Sequence, residues 1–158
     1  MLTIRRETGT AMAPDVSPVA AWESLFRAQV TVMRQLATEF PTDIVSLNEY
    51  DVMFNLFIQP KKVLRIRDLG EKVLLTQPSI SRLVDRLVAR GILEKNDDPT
   101  DGRGTLVGLT EHGVTMYRQA AVQHAQSIST HMSGHLSPEE LDELARLCDK
   151  LRTGVAGK

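Results

Sequence analysis

Residues 76–95 read TQPSISRLVDRLVARGILEK, and this stretch decides the fold. Ile80, Leu83, Val84 and Leu87 recur at spacings of three and four, the period of a helix with one buried face. The predicted helix starts at Thr76 and ends near Arg90, where Gly91 supplies the C-terminal stop. That leaves Gln77, Ser79, Ser81, Arg82, Asp85, Arg86 and Arg90 wholly or partly exposed. Arg82 and Arg86 stand four apart on one face. A guanidinium can hold guanine O6 and N7 with two parallel hydrogen bonds, and a Gln side chain can pair with adenine. Ser79 and Ser81 are small enough to let the helix enter a major groove, and their hydroxyls can bond phosphate or base. Asp85, three residues from Arg82, is placed to orient it. The same residues also read as a solvated charged face on a core helix.

Working outward, Asp68–Val73 reads as a short supporting helix, with Gly70 inside it costing about 1 kcal/mol relative to Ala. Leu74 and Leu75 fall near the turn, which gives the layout of a helix-turn-helix. On the other side, Leu93–Lys95 and Thr105–Leu109 read as strands of a hairpin. Residues 96–104 are dense in Asp, Pro and Gly and are expected to be a long polar loop. That loop holds Asp101-Gly102-Arg103-Gly104. An Arg on a polar tip beside a recognition helix can enter the minor groove, and a carboxylate two residues earlier can hold its guanidinium. The alternative is a polar turn in which Asp-Gly serves geometry only.

The flanks are helical. From Val16 to Phe40, the residues Val19, Trp22, Leu25, Phe26, Val30, Met33, Leu36 and Phe40 follow the helical period, and Pro41 stops the helix. So wide an apolar surface is expected to meet more than one neighbour. A second helix is predicted from Leu47 to Ile58, with Ser46 and Glu49 at capping-box spacing, followed by a short strand at Val63–Ile66. Thr110 caps a long helix reaching about Met132, in which Gly113 looks like a mild flaw. Ser137-Pro138-Glu139-Glu140 opens the last helix with a cap, a first-turn Pro and first-turn acids. Its apolar stripe is Leu141, Leu144, Leu147, Cys148 and Leu151. Residues 1–15 show no periodicity and are expected to be a mobile tail.

Composition narrows the classes. The 158 residues suit one domain, with 42% apolar and 25% charged residues. No apolar run approaches the roughly 20 residues of a bilayer span. No apolar signal stretch follows the first residues, and the single Cys148 suits a reducing compartment, so the cytoplasm is the expected location. Net charge is −1, yet residues 61–104 hold ten Lys or Arg against seven Asp or Glu. A DNA-binding protein needs only one basic face.

The element order, the stretch from Thr76 to Lys95, the DPTDGRG turn from Asp98 to Gly104 and the LTEHG segment from Leu109 to Gly113 resemble the MarR family of bacterial transcriptional regulators. The resemblance covers nearly the whole chain after Val16. It implies a mainly α fold with a small β-hairpin wing, a winged helix-turn-helix over 61–109. Outer helices over 16–45 and 110–152 would form a dimerisation domain, all within one domain over 16–158. It implies a homodimer on palindromic double-stranded DNA. Thr76–Arg90 would be the recognition helix in the major groove, and Asp101 would position Arg103 in the minor groove. It further implies a repressor of nearby genes, released by a small aromatic or phenolic effector. Trp22, Met53 and Phe57 are candidate apolar walls of the effector pocket, and Arg65 can meet a carboxylate or phenolate; simple core packing is the other reading of the first three. The chain departs from the family pattern at Gly104, where a second Arg is common, at Arg67, where a capping Ser or Thr is common, and at Gly70, which replaces the usual Ala.

Other chemistry is not expected. Cys148 lies in an apolar stripe and is predicted to be buried rather than a thiol sensor. His131 and His135 have a usable ligand spacing, but Gly134 interrupts the helix and no carboxylate lies between His124 and His135. His112 sits in the LTEHG junction, where a structural or phosphate-contact role is expected. No phosphate-binding Gly-rich loop, Cys pair or metalloprotease motif occurs, so neither a cofactor nor an enzyme is expected. A winged-helix module used for protein contacts, or as an activator, is the rival reading; Arg82, Arg86 and Arg103 argue against lost DNA binding.

Overall fold

The computed structural model describes residues 16–157, so the expected N-terminal tail lies outside the described residues. The element order is α1 (Pro18–Glu39), α2 (Leu47–Phe57), β1 (Val63–Arg65), α3 (Ile66–Gly70), α4 (Gln77–Ala89), β2 (Leu93–Asp98), β3 (Asp101–Leu109), α5 (Glu111–Ser133) and α6 (Pro138–Ala156). The chain divides into two compact units between Arg34 and Gln35, within α1. In the first unit, Val19, Trp22, Phe26 and Met33 are exposed along α1. The Trp22 and Phe26 rings stack there with centroids 6.1 Å apart.

The second unit holds the core. Ile80, Val84 and Leu87 from α4 are wholly buried with Val52, Met53 and Leu56 from α2, Leu69 from α3, Ile92, Val107 from β3 and Ala120 from α5. The three strands form an antiparallel sheet in the order β1-β3-β2. Caps behave as the local pattern requires. Ser46 accepts from the Glu49 amide while Glu49 accepts from the Ser46 amide, and Ser137 and Glu140 repeat the exchange on α6.

The hairpin corrects one expectation. Residues 96–104 are not a long loop: β2 runs to Asp98 and β3 starts at Asp101, leaving Pro99-Thr100 as the connection. Pairing such as Asn96 with Leu106 and Asp97 with Thr105 overrides a composition that disfavours strand. Gly113 is also not a flaw. A Cβ there would lie 2.1 Å from the Ile92 carbonyl oxygen, so the close approach of α5 to the start of β2 requires glycine. Cys148 is exposed rather than buried, because no residue of α6 is buried within the chain. Leu147, Leu151 and Val155 are uncovered with it.

Between the start of α5 and α2 lies an aromatic cluster. Phe57 stacks on Tyr117 with centroids 4.4 Å apart, and Tyr117 stacks on Tyr50 at 5.3 Å. Burial, with Tyr117 as neighbour, pushes the Tyr50 phenol up, so it stays neutral. His124 is buried edge-on to Phe40 and Tyr50, each at 5.1 Å, and its Nδ1 has no hydrogen-bond partner among the described residues. Burial holds the imidazole below its ordinary value of 6.5, which favours the neutral ring in the folded state. The unfolded chain therefore binds the proton first. Stability is expected to be flat above pH 6.5 and to fall as the pH drops below it toward the lowered folded value. Urea titrations at a series of pH values should show this slope in the wild type and a shallower one in His124→Phe. Equal slopes would assign the acid sensitivity elsewhere.

Candidate nucleic-acid interface

The interface is built on α4. Ile80, Leu83, Val84 and Leu87 are buried beneath it, and this anchoring dictates which side chains point away. Gln77, Arg82, Asp85 and Arg86 are exposed, and Ser79 and Ser81 are half-buried. The sequence expectation for this face is met in exposure. Thr76 is the N-cap but bonds no helix amide; its hydroxyl donates to the Ser79 hydroxyl at 2.9 Å. The first-turn amides of α4 thus lack a side-chain cap from Thr76.

Charge partners on α4 differ from expectation. Asp85 does not orient Arg82. Its carboxylate pairs with the Lys95 ammonium on β2, because the hairpin passes beside α4 there. Arg82 instead donates through Nε to the Pro78 carbonyl at 3.2 Å, lying back along its own helix. Arg86 makes no ion pair or side-chain hydrogen bond among the described residues. Arg90 is exposed as expected, but its guanidinium is engaged within the chain. It donates to Glu49 Oε1 at 3.0 Å and to the Ile44 carbonyl at 3.1 Å, tying the end of α4 to the start of α2. A groove lined by Asn48, Leu75, Ser79, Arg82, Leu83 and Arg86 runs beside this face.

The supporting helix also differs. It spans Ile66–Gly70 with Arg65 as an N-cap that makes no side-chain bond to the helix, so Arg67 is inside the helix rather than at the cap. Gly70 lies under the Gln77 side chain: a Cβ there would lie 2.0 Å from Gln77 Nε2, so an Ala would displace the end of that flexible, exposed side chain. The missing side chain leaves room for Gln77 to fold over α3.

In the wing, Asp101 is exposed at the start of β3, and the side chain of Arg103 lies outside the described residues. Sequence reasoning missed Asp98. Its side chain is buried and lies 2.6 Å from Arg65 Nε on β1. Its Oδ1 accepts from the Thr100 amide at 2.9 Å and the Thr100 hydroxyl at 2.7 Å. The two Thr100 bonds, with Arg65 beside it, hold the carboxyl below the usual carboxylate range. The Asp-Pro-Thr order is a legible signal for such a turn. Arg65, read as an effector contact, is engaged by Asp98 here. Of the other candidate pocket residues, Met53 is wholly buried in the core, Phe57 is half-buried against Tyr117, and Trp22 is exposed on α1.

The histidines separate as well. His124 is in the aromatic cluster, while His131 Nε2 lies 2.8 Å from Glu39 Oε1, and no metal-holding group of His, Cys, Asp or Glu occurs among the described residues. His112 is exposed in the first turn of α5. No described helix is long and apolar enough to cross a membrane.

A helix-turn-helix followed by a paired hairpin, with an outward basic recognition helix, defines a winged helix-turn-helix protein. The MarR family model matches residues 45–104. An uncharacterized HTH-type transcriptional regulator from Bacillus subtilis (strain 168), YhbI, is 30% identical over 111 residues, covering 70% of this chain and 70% of that protein. AbsC, a MarR family transcriptional regulator from Streptomyces coelicolor, superposes with a TM-score of 0.75 at 23% identity, covering 94% of this chain and 100% of that one. A second MarR family regulator from Streptomyces coelicolor, solved in complex with DNA, superposes with a TM-score of 0.73 at 24% identity, covering 85% of both chains. Alignments to other curated relatives span between 55% and 62% of those proteins' length. The chain belongs to the MarR family, whose members are transcriptional regulators and not enzymes.

Proposed function

We propose that the chain binds double-stranded operator DNA as a homodimer and represses transcription. The observation that carries this is the exposure of Arg82 and Arg86 on the face of α4 opposite its buried Ile80, Leu83, Val84 and Leu87. In the proposed complex α4 enters the major groove, with Gln77, Ser79, Ser81, Arg82 and Arg86 at bases and phosphates. The hairpin brings Asp101 and Arg103 to the adjacent minor groove. One such module touches little DNA, and a two-fold dimer reads two half-sites about 34–36 Å apart. Exposed apolar side chains favour the dimer: Trp22 and Phe26 on α1, and Leu147, Leu151 and Val155 on α6, lie open in the single chain.

Titration of the full-length protein onto DNA from the region beside its gene tests the reading directly. Nanomolar binding that weakens steeply with salt and protects a palindrome is expected. Sedimentation at micromolar concentration should give twice the 17.6 kDa chain mass. A stable monomer that binds the palindrome tightly would remove the dimer from the proposal. Repression acts here by occupancy of a promoter, with release by a small aromatic or phenolic compound that favours a wrong spacing of the two recognition helices. A compound that stabilises the protein in a thermal shift, and lowers its DNA affinity, would identify that effector.

A further inference from the structure

Thr100 and Asp98 stand where the wing turns back, and both are tied to Arg65 on β1. Arg65 Nε lies 2.6 Å from Asp98 Oδ2, and Arg65 Nη2 donates to the Thr100 hydroxyl at 3.0 Å. The Thr100 hydroxyl donates onward to Asp98 Oδ1 at 2.7 Å, and the Thr100 amide donates to the same oxygen at 2.9 Å. Arg, Thr and Asp thus close a ring of ionic and hydrogen-bonded pairs across 35 residues of sequence, around a carboxylate that is 4% exposed. Burying that carboxylate is costly unless it is compensated, and Oδ2 makes no hydrogen bond among the described residues, so its compensation is the ion pair with Arg65. Gly104 completes it. A Cβ at 104 would lie 3.0 Å from Asp98 Cβ and 3.3 Å from Asp98 Oδ2. A larger residue here would press on the clamp, which gives the departure from the family's common Arg a physical cause.

We propose that Arg65 is a positioning residue for DNA binding: through Asp98 and Thr100 it fixes the β2–β3 turn against β1, so that the wing reaches the DNA already ordered. Two strands joined by a short turn are marginal alone, and the wing tip beyond Asp97 leaves the regular register of β2 with β3. Arg65 supplies a third anchor from β1. Affinity then depends on Arg65 without contact between Arg65 and DNA, because ordering the wing on binding would otherwise cost free energy. A lysine is a poor replacement, because its single ammonium lacks the fixed spacing with which Nε meets Asp98 and Nη2 meets Thr100.

This inference rests on the proposed DNA binding for its functional half, and the test keeps the halves apart. Amide hydrogen exchange on the free protein reads the clamp alone. Arg65→Ala and Thr100→Val should each speed exchange in the hairpin turn by about tenfold or more, the loss of one charge-assisted bond, while core amides stay protected. Arg65→Lys should resemble Arg65→Ala rather than the wild type. In DNA titrations Arg65→Ala should weaken binding by about tenfold, but by much less in an Arg103→Ala background, where the wing no longer holds the DNA. Unchanged exchange in Arg65→Ala would overturn the clamp whatever the DNA result. Full additivity of Arg65→Ala with Arg103→Ala would overturn the positioning role and place Arg65 on the DNA itself. Absence of DNA binding by the wild type would refute the proposed function and the functional half, leaving the exchange result to decide the clamp.

Discussion

The Arg82→Ala/Arg86→Ala double variant is expected to bind operator DNA at least about thirtyfold more weakly than the wild type, with its melting temperature unchanged. Each guanidinium that holds a guanine contributes about 1–3 kcal/mol of discrimination, and two such losses compound. Both side chains are exposed, and neither is paired with an acid among the described residues, so removing them leaves no buried charge behind. Among the described residues, the only side-chain bond removed is from Arg82 to the Pro78 carbonyl on the helix surface. Surface changes of this kind shift stability by about 0.5 kcal/mol or less. Fluorescence anisotropy at several salt concentrations, beside thermal melts, measures both quantities. The slope with salt separates two roles for these residues. An arginine that neutralises a phosphate contributes about 0.9 to that slope, whereas one that reads a base sets the preference at one base pair. Wild-type affinity in a folded double variant would exclude this face of α4 as the DNA site.

Gly113→Ala is expected to destabilise the fold by about 1–3 kcal/mol or more, the range for forcing extra atoms into a packed site. The added Cβ would lie 2.1 Å from the Ile92 carbonyl oxygen and 3.0 Å from Leu109 Cδ2. A backbone carbonyl cannot swing aside as a side chain can. That same carbonyl accepts from the Thr110 amide at 3.1 Å, and Thr110 Oγ1 accepts from the Gly113 amide at 3.0 Å. Relief of the clash therefore moves the wing against α5 and weakens the cap together. Gly154→Ala on α6 is the control with the opposite sign. Nothing lies within 4 Å of a Cβ there, and helix propensity favours Ala by about 1 kcal/mol. Thermal melts should show Gly113→Ala lowered by several degrees and Gly154→Ala level or raised, at about 2–4 °C per kcal/mol. A Gly113→Ala variant as stable as the wild type would mean that the junction relaxes freely.

Much of the interface is legible in the chain alone. The three-and-four spacing of Ile80, Leu83, Val84 and Leu87 depends only on neighbours along one helix, and so does the exposure of Arg82 and Arg86. Gly113 misleads. Helix propensity, a local property, makes it a defect, whereas the close approach of the Ile92 carbonyl requires it; at Gly70 the near neighbour is only the movable end of Gln77. Cys148 misleads because an apolar stripe shows which face would be buried but not whether anything within the same chain covers it.

The sequence by itself determined the longer helices, the caps at Ser46, Thr110 and Ser137, the helix-turn-helix order and the outward basic face, because these follow from periodicity and from side chains acting on backbone within one turn; the bounds of α3 it did not. Tertiary structure alone decided the partners of the charges. Asp85 is bonded ten residues away to Lys95, Arg90 41 residues away to Glu49, and Arg65 35 residues away to Thr100. It also decided that the hairpin strands run to Asp98 and Asp101, since polar residues become strand only when a paired neighbour takes their backbone bonds. Distances of this kind are set by how the elements pack around Ile80, Leu87 and Val107, and no local pattern encodes which of several exposed acids will meet a given arginine.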